Sequence, residues 1–171
     1  MTDKGVTFII MPLLSLIEDN FNFVKSLGID AVSLSDGGST KGWDAIQGVA
    51  KMKYKLVYVT PEKIVSNSVL RDVIDDLYRK GKIDRFVIDE VHCVSSWGAD
   101  FRSDYLELKQ LKKNYPRVPI LGLTATASQA VKTDICDKLG ISNEVCYFQN
   151  SFNRPNLVYE IRNKHNISNL E

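Results

Sequence analysis

Short apolar runs alternate with amphipathic stretches along most of the chain. Runs of four to six mainly apolar residues predict buried β-strands at 6–11, 31–34, 56–59, 83–88 and 120–123. Apolar residues at helical spacing predict helices at 13–27, 40–52, 69–77, 105–112 and 127–139. Two further runs, 145–148 and 157–161, predict additional strands. Strands that alternate with helices indicate an α/β fold, with a parallel sheet flanked by helices on both faces.

Turn-forming residues separate these elements. Gly28 and Gly140 follow the first and last helices, where a glycine ends a helix readily. Residues 36–39 (DGGS) predict a turn before the second helix. Thr126 is the predicted N-cap of the last helix.

Polar or turn residues follow the apolar strands directly. Pro12, Thr60, Asp89, Glu90 and Thr124 stand at or just after strand ends. In a parallel sheet these ends share one edge, where ligands bind. We therefore expect a functional crevice at this edge.

Composition narrows the function classes. The chain has 171 residues, which fits one ordinary domain. Its formal net charge is +1, so any nucleic-acid site must be a local group of residues. Three cysteines without CxxC spacing and two histidines predict free thiols and no zinc site. No apolar run approaches the roughly 20 residues that span a bilayer, and the N-terminus has no secretory pattern. We expect an intracellular protein without a membrane partner.

An acid pair ends the fourth predicted strand. A carboxylate at a strand tip can hold Mg²⁺, so Asp89 is the candidate metal ligand. The adjacent Glu90 can orient or deprotonate an attacking water, as in phosphoryl transfer. Taken alone, this pair is as consistent with solvated loop acids. His92 gains interest only from its place beside the pair, and its spacing does not fit an HExxH zinc motif.

A segment rich in aromatic residues follows the acids. Trp97, Phe101 and Arg102 have the faces on which single-stranded bases stack, although the two aromatic side chains would equally anchor a loop to the core. Residues 37–42 (GGSTKG) do not form a phosphate loop, because GxxxxGK[ST] requires the lysine directly before the hydroxyl residue.

Taken in order, these segments resemble motifs of the RecQ family of DNA helicases, and within it the Bloom-type members. The similar segments are 8–17 (motif Ia), 56–63 (Ib), 89–92 (II), 93–102 (the aromatic-rich loop), 123–127 (III) and 151–157, which leads toward a second lobe. The likeness covers about residues 6–161. Ser103 stands where the family usually has proline, and Val91 where most members have alanine.

The resemblance implies an ATP-dependent DNA helicase that moves 3′ to 5′ along single-stranded DNA in repair and recombination. ATP and Mg²⁺ would be its cofactors, and the nucleus its location in a eukaryote (the cytoplasm otherwise). It implies that Asp89 holds Mg²⁺, that Glu90 activates water, and that the remaining site residues bind DNA or couple it to the nucleotide: His92, Trp97, Phe101, Arg102, Thr124, Thr126, Pro12, Leu13, Thr60, Pro61 and Arg154.

Within these 171 residues the family's phosphate loop and second lobe have no counterpart. Residues 1–161 are therefore expected to form a truncated RecA-like first lobe, with 162–171 a polar tail. We expect the isolated chain to be inactive as an ATPase, since the phosphate loop holds the nucleotide. We also expect the edge of strand 120–123 to be exposed and to favour self-association.

Two other function classes stay open at this stage. An RNA-remodelling ATPase of the DEAD-box type is disfavoured by His92, by Thr124, and by the aromatic segment, which such enzymes lack. A non-catalytic nucleic-acid-binding or interaction module is favoured by the lack of a phosphate loop in the chain.

Overall fold

Five parallel strands form one sheet in the order β2-β3-β1-β4-β5. The computed structural model describes residues 5–34, 40–96, 101–141, 145–151, 154–158 and 160–161. The strands are β1 (Val6–Ile10), β2 (Ala31–Ser33), β3 (Leu56–Val59), β4 (Ile83–Ile88) and β5 (Ile120–Gly122). The helices are α1 (Leu14–Ser26), α2 (Thr40–Ala50), α3 (Pro61–Ser66), α4 (Ser68–Arg79), α5 (Ser103–Leu106), α6 (Lys109–Asn114) and α7 (Gln129–Leu139). One 3₁₀ turn, Val91–Val94, follows β4.

The five main apolar runs are strands, as predicted. The predicted strands at 145–148 and 157–161 are wrong, because their described residues form no strand. Phe148 and Val158 are each 93% exposed, so these side chains do not lie on the sheet. An apolar run becomes a strand only where a neighbouring strand can pair with it.

The helix ends follow local chemistry, with one correction. Gly28 and Gly140 have φ of 73° and 68°, the left-handed conformation that ends a helix. Thr126 is not the N-cap of α7. Ser128 caps this helix by accepting a hydrogen bond from the Val131 N–H at 3.4 Å. Helix α7 begins at Gln129, which is too far along the chain for Thr126 to cap it. The Thr126 N–H donates to Thr124 Oγ1. The turn predicted at 36–39 lies outside the described residues.

Two apolar layers cover the two faces of the sheet, as the predicted fold class requires. The larger layer is centred on Phe8 and Phe86, whose ring centroids lie 5.8 Å apart, and it includes residues of α2, α4 and α7. The smaller layer forms where Ile17 of α1 packs with Tyr58 and Ile9. Side chains alternate along each strand, so Phe8 and Ile9 face opposite layers.

The smaller layer thins out toward β5. Register places Ile9, Val87 and Leu121 in one row across β1, β4 and β5. Leu121 at the end of this row is 42% exposed, and Leu123 beyond it is 44% exposed. Within the described residues β5 pairs only with β4, so its outer side is a sheet edge with apolar side chains beside it.

Candidate functional site

Backbone hydrogen bonds continue past the strand ends and hold the crevice together. The Asp89 N–H donates to the Ile10 carbonyl at 2.9 Å, which joins the ends of β4 and β1. Leu123 N–H donates to Ile88 O, and Val91 N–H donates to Leu123 O, each at 2.9 Å. The Met11 N–H donates to the Val59 carbonyl at 3.1 Å, which adds the end of β3. The carboxyl ends of these four strands therefore form a continuous rim, and the residues predicted for this edge lie along it.

The acid pair has an unusual backbone. Glu90 has φ 49° and ψ 42°, a left-handed conformation that is uncommon for a residue with a side chain. Its N–H donates to Asp89 Oδ1 at 3.0 Å, which ties the two acids together. Strain of this kind persists only where the surroundings enforce it, and it concentrates at functional sites. Neighbouring side chains of an extended strand point to opposite faces, and the left-handed turn at Glu90 departs from that arrangement.

Tyr105 anchors the backbone of this turn from within the core. Its side chain is fully buried, and its hydroxyl donates to the Asp89 carbonyl at 3.0 Å. Burial raises the pKa of Tyr105 well above its ordinary value, so the hydroxyl keeps its proton even at a pH where an exposed tyrosine ionises. The sequence pattern predicts Tyr105 only as part of the apolar face of a helix. The signal for its second role is its hydroxyl, because a tyrosine buried in a core usually needs a hydrogen-bond partner.

His92 bridges the acid pair and the end of β5. Its Nδ1 lies 3.2 Å from Glu90 Oε2 and 2.8 Å from Thr124 Oγ1. The Thr124 hydroxyl donates to the Thr126 carbonyl at 3.3 Å and accepts from the Thr126 N–H at 3.1 Å. Because its only proton is directed to that carbonyl, we assign the proton between Thr124 and His92 to Nδ1. Among the predicted coupling residues, Thr124 is thus bonded both to His92 and to Thr126.

The aromatic loop (residues 93–102) begins beside this bridge, and the structure describes its residues 93–96, 101 and 102. Arg102 N–H donates to the Cys93 carbonyl at 3.0 Å, and Arg102 Nη1 lies 3.4 Å from the Pro12 carbonyl oxygen. Phe101 is 45% exposed, which leaves its ring available for stacking. Trp97 lies outside the described residues. Arg102 and Pro12 therefore lie next to each other at the rim.

The remaining predicted residues have simpler surroundings. Thr60 caps α3 by accepting from Lys63 N–H at 3.4 Å, and Pro61 is the buried first residue of that helix. Leu13, 45% exposed, precedes α1 at the rim. Arg154 is exposed, and its side chain makes no hydrogen bond or ion pair with the described residues. The structure does not bring Arg154 into contact with the acid pair.

The acid pair offers little protein ligation for a metal. Nowhere among the described residues do three or more His, Cys, Asp or Glu side chains gather as a metal-binding group. A single half-buried carboxylate, Asp89, nevertheless fits Mg²⁺, which takes one or two carboxylates together with substrate phosphates and water. In the described part of the chain, no helix combines the length and apolar character needed to cross a membrane.

Sequence comparison gives one family and a consistent set of relatives. The sequence model of the DEAD/DEAH box helicases matches residues 1–133. The chain is 46% identical over 165 residues to ATP-dependent DNA helicase Q-like 4B of Arabidopsis thaliana, covering 95% of this chain and 14% of that protein. It is 44% identical over 162 residues to RecQ-like DNA helicase blm-1 of Caenorhabditis elegans, covering 92% and 16%. It is 41% identical over 165 residues to ATP-dependent helicase SGS1 of Saccharomyces cerevisiae, covering 94% and 11%. The chain thus spans about a sixth or less of the length of these three relatives.

The fold is also similar to a solved structure. The Hef helicase domain of Pyrococcus furiosus superposes with a TM-score of 0.54 at 17% identity, covering 83% of this chain and 28% of that one. This likeness concerns the fold, a parallel sheet with flanking helices.

Proposed function

The chain belongs to the DEAD/DEAH box helicase family, and from this premise we propose that it is part of an ATP-dependent DNA helicase of the RecQ type. The motif resemblance to RecQ helicases is confirmed by the 41–46% identity to the three relatives above. We propose that the whole protein moves 3′ to 5′ on single-stranded DNA in repair and recombination. A nuclear location in a eukaryote, or a cytoplasmic one otherwise, belongs to the same proposal.

One observation carries this proposal: the bridge that His92 makes between Glu90 and Thr124. It links a carboxylate suited to activating water with the end of a second strand. We propose that a change at either partner is passed to the other through His92, because His92 Nδ1 lies within 3.2 Å of both. This arrangement suits an ATPase whose chemistry responds to a second ligand.

In the proposed reaction Asp89 would hold Mg²⁺, which takes few protein ligands and binds substrate phosphates. When bound, Mg²⁺ neutralises charge that develops on the phosphates. Glu90 orients the attacking water and takes its proton. Tyr105 fixes the Asp89 backbone so that both carboxylates keep their positions.

The single-stranded DNA partner is proposed to lie along the rim. Phe101 and Trp97 supply faces for base stacking, and the Arg102 guanidinium supplies charge. The rim residues Pro12, Leu13, Thr60 and Pro61 are proposed to follow the phosphate backbone. Arg154 is proposed to bind or couple DNA from the segment that leads toward a second lobe.

ATP hydrolysis is the first test. No GxxxxGK[ST] motif occurs in the 171 residues, so we expect the isolated chain to show no Mg²⁺-dependent ATP hydrolysis above a Glu90→Gln control, with or without single-stranded DNA. Phosphate release measures this. DNA-stimulated turnover that is lost in Glu90→Gln would contradict the expectation and would make the chain a motor by itself.

DNA binding by the same chain tests the other half of the proposal. Fluorescence anisotropy of a labelled dT oligonucleotide at fixed low salt should show binding that weakens in Phe101→Ala and Arg102→Ala. A uridine oligoribonucleotide of equal length distinguishes an RNA-directed ATPase, which the DNA helicase names of the relatives do not favour. Equal affinity for both strands, or no effect of the two substitutions, would count against DNA recognition by the aromatic loop.

We further propose that the β5 edge pairs with a second copy of the chain. A strand edge offers unpaired N–H and C=O groups to an identical edge, and the exposed Leu121 and Leu123 lie beside it. Light scattering at high concentration should show a dimer that Leu121→Lys disperses. A monomer at every concentration would refute this.

A further inference from the structure

An open groove of about 410 Å³ lies between α6 and α7. Four lysines line it, and they are Lys109, Lys112 and Lys113 on α6 and Lys138 on α7. The three lysines of α6 share one face of that helix, because residues three and four positions apart are neighbours on a helix surface. We call this surface the lysine groove.

Positive charge is concentrated in the lysine groove. Among the described residues that line it, Asp137 is the one acid beside four lysines, so the lining has a net charge of +3. The whole chain has a formal net charge of +1, and the residues outside the groove therefore carry a net charge of −2. A local positive surface on a nearly neutral chain is the feature expected of a site that binds a polyanion.

The ammonium groups of α6 are available to a ligand. Lys113 is exposed, and within the described part of the chain its side chain has no hydrogen-bond or ion-pair partner. Lys109 Nζ lies 4.0 Å from Glu107 Oε1, and this lysine side chain is 57% exposed. Lys112 Nζ donates to the Pro116 carbonyl at 3.1 Å, which uses one of its three protons. An anion can therefore bind these lysines without breaking a short ion pair.

Lys138 connects the groove with the proposed DNA site. Its Nζ lies 5.9 Å from the ring centroid of Phe101. The same ammonium donates to Ser96 Oγ at 2.8 Å and lies 3.0 Å from Asp134 Oδ2, so it is held in this position. A strand with a base on the Phe101 ring would thus reach the lysine groove next, and the groove continues the surface on which stacking is proposed.

The lining of the groove favours a phosphate backbone over an acidic peptide. Its apolar side chains are Pro116 and Leu139, and Leu139 is only 1% exposed. A protein partner draws most of its affinity from apolar or aromatic anchors in pockets, which this lining does not supply. A phosphate backbone binds lysines through charge alone.

We propose that the lysine groove binds the phosphate backbone of single-stranded DNA beyond the aromatic loop, through Lys109, Lys112 and Lys113. This inference rests on the proposed DNA-binding function and extends it to a surface outside the rim. Contacts to the backbone are independent of base sequence, so the groove lengthens the bound segment without adding specificity.

Chemical footprinting locates the bound strand without any substitution. Lysine acetylation is measured by mass spectrometry, with and without a dT oligonucleotide of about 20 nucleotides, which is longer than the site of one typical single-strand-binding fold. With DNA at about three times its Kd, about three-quarters of the chain is bound, so Lys109 and Lys113 should react about fourfold more slowly. The exposed Lys25 on α1 and Lys51 before β3 should keep their rates. Unchanged rates at Lys109 and Lys113 would overturn the proposal.

The dependence of affinity on salt counts the phosphate contacts. Each contact to a single strand contributes about 0.7 to the slope of log affinity against log salt. In fluorescence anisotropy, the double variant Lys109→Gln/Lys113→Gln should therefore lower this slope by about 1.4. Both positions are exposed, and glutamine has nearly the helix propensity of lysine, so the variant keeps the fold.

A matched control removes the same charge elsewhere. Lys25→Gln/Lys51→Gln changes two exposed lysines outside the groove and should alter the slope by less than about 0.7, the value of one contact. Equal slopes in the two double variants would overturn the proposal, because a general loss of charge would then explain the effect.

Failure of the groove and failure of the proposed function give different results. Binding that Phe101→Ala weakens, with Lys109 and Lys113 still fully reactive, would overturn the groove and leave the proposed function standing. Protection of both lysines in a chain that Phe101→Ala does not affect would support the groove and refute recognition by the aromatic loop. A chain that binds no oligonucleotide refutes DNA binding by this chain, including the groove. A polyglutamate peptide of equal charge that protects both lysines as strongly as DNA would overturn the assignment to DNA.

Discussion

Removing one oxygen atom tests whether Tyr105 holds the acid-pair turn. In Tyr105→Phe the ring keeps its place in the core, so no cavity of consequence forms. The variant loses the 3.0 Å hydrogen bond from the tyrosine hydroxyl, which leaves the Asp89 carbonyl without this donor. Leaving a buried carbonyl unsatisfied costs about 1–3 kcal/mol. Phenylalanine is less costly to bury than tyrosine, and we therefore expect a net destabilisation of about 1.5 kcal/mol.

Urea unfolding followed by circular dichroism measures this loss. For a domain of this size it corresponds to a melting temperature lower by about 3–6 °C. Tyr54→Phe is the matched control, because its hydroxyl makes no hydrogen bond to a described residue, and it should stay within about 0.5 kcal/mol of the wild type. A Tyr105→Phe chain as stable as this control would refute the anchoring role.

The stability of the chain at alkaline pH gives a second test of Tyr105. Burial raises the pKa of Tyr105 in the folded chain, whereas in the unfolded chain it ionises near pH 10. The wild type binds this proton more tightly when folded, so the stability it gains is complete below pH 10 and falls as pH rises further. Phenylalanine has no such proton. The difference between wild type and Tyr105→Phe should therefore be constant at neutral pH and narrow above pH 10.

Two further predictions concern the backbone of the acid pair and the charge of Asp134, whose Oδ2 accepts from the Ser95 hydroxyl at 2.5 Å. Glu90→Gly should be more stable than Glu90→Ala by about 1 kcal/mol, because only glycine adopts φ 49° without strain, and equal urea midpoints for the two variants would contradict this. Asp134 has a lowered pKa in the folded chain, so its contribution is present above the unfolded pKa and is lost as pH falls through the folded one. The stability deficit of Asp134→Asn should therefore shrink below about pH 4, and a deficit that grows with acid would show that the carboxylate is not stabilised in the fold.

Much of the fold could be predicted from local pattern. The runs that form β1, β3 and β4 are bounded by prolines, glycines or polar residues, so the ends of these strands could be predicted closely. The runs at 145–148 and 157–161 look the same by composition. Their failure as strands depends on pairing partners, which no local pattern records.

The site was predictable in its residue types but not in its geometry. Asp89, Glu90 and His92 are adjacent in sequence, and strand order then brings Thr124 to them. The left-handed turn at Glu90 carries no glycine signal, so the sequence could not indicate it. The bonds from Tyr105 to Asp89 and from Ser95 to Asp134 join residues 16 and 39 positions apart, and each is a common residue type with many ordinary roles.

The order of strands in the sheet has a consequence for how the chain folds. The first strand in the sequence is the middle strand of the sheet, where Phe8 pairs with both Val57 and Phe86. During synthesis β1 leaves the ribosome long before either partner exists. Parallel pairing over such sequence distances is slow, since the loop must close before the contacts form. The apolar β1 segment therefore stays without its two strand partners until β3 and β4 have been synthesised, and unpaired apolar segments of this kind are prone to aggregate.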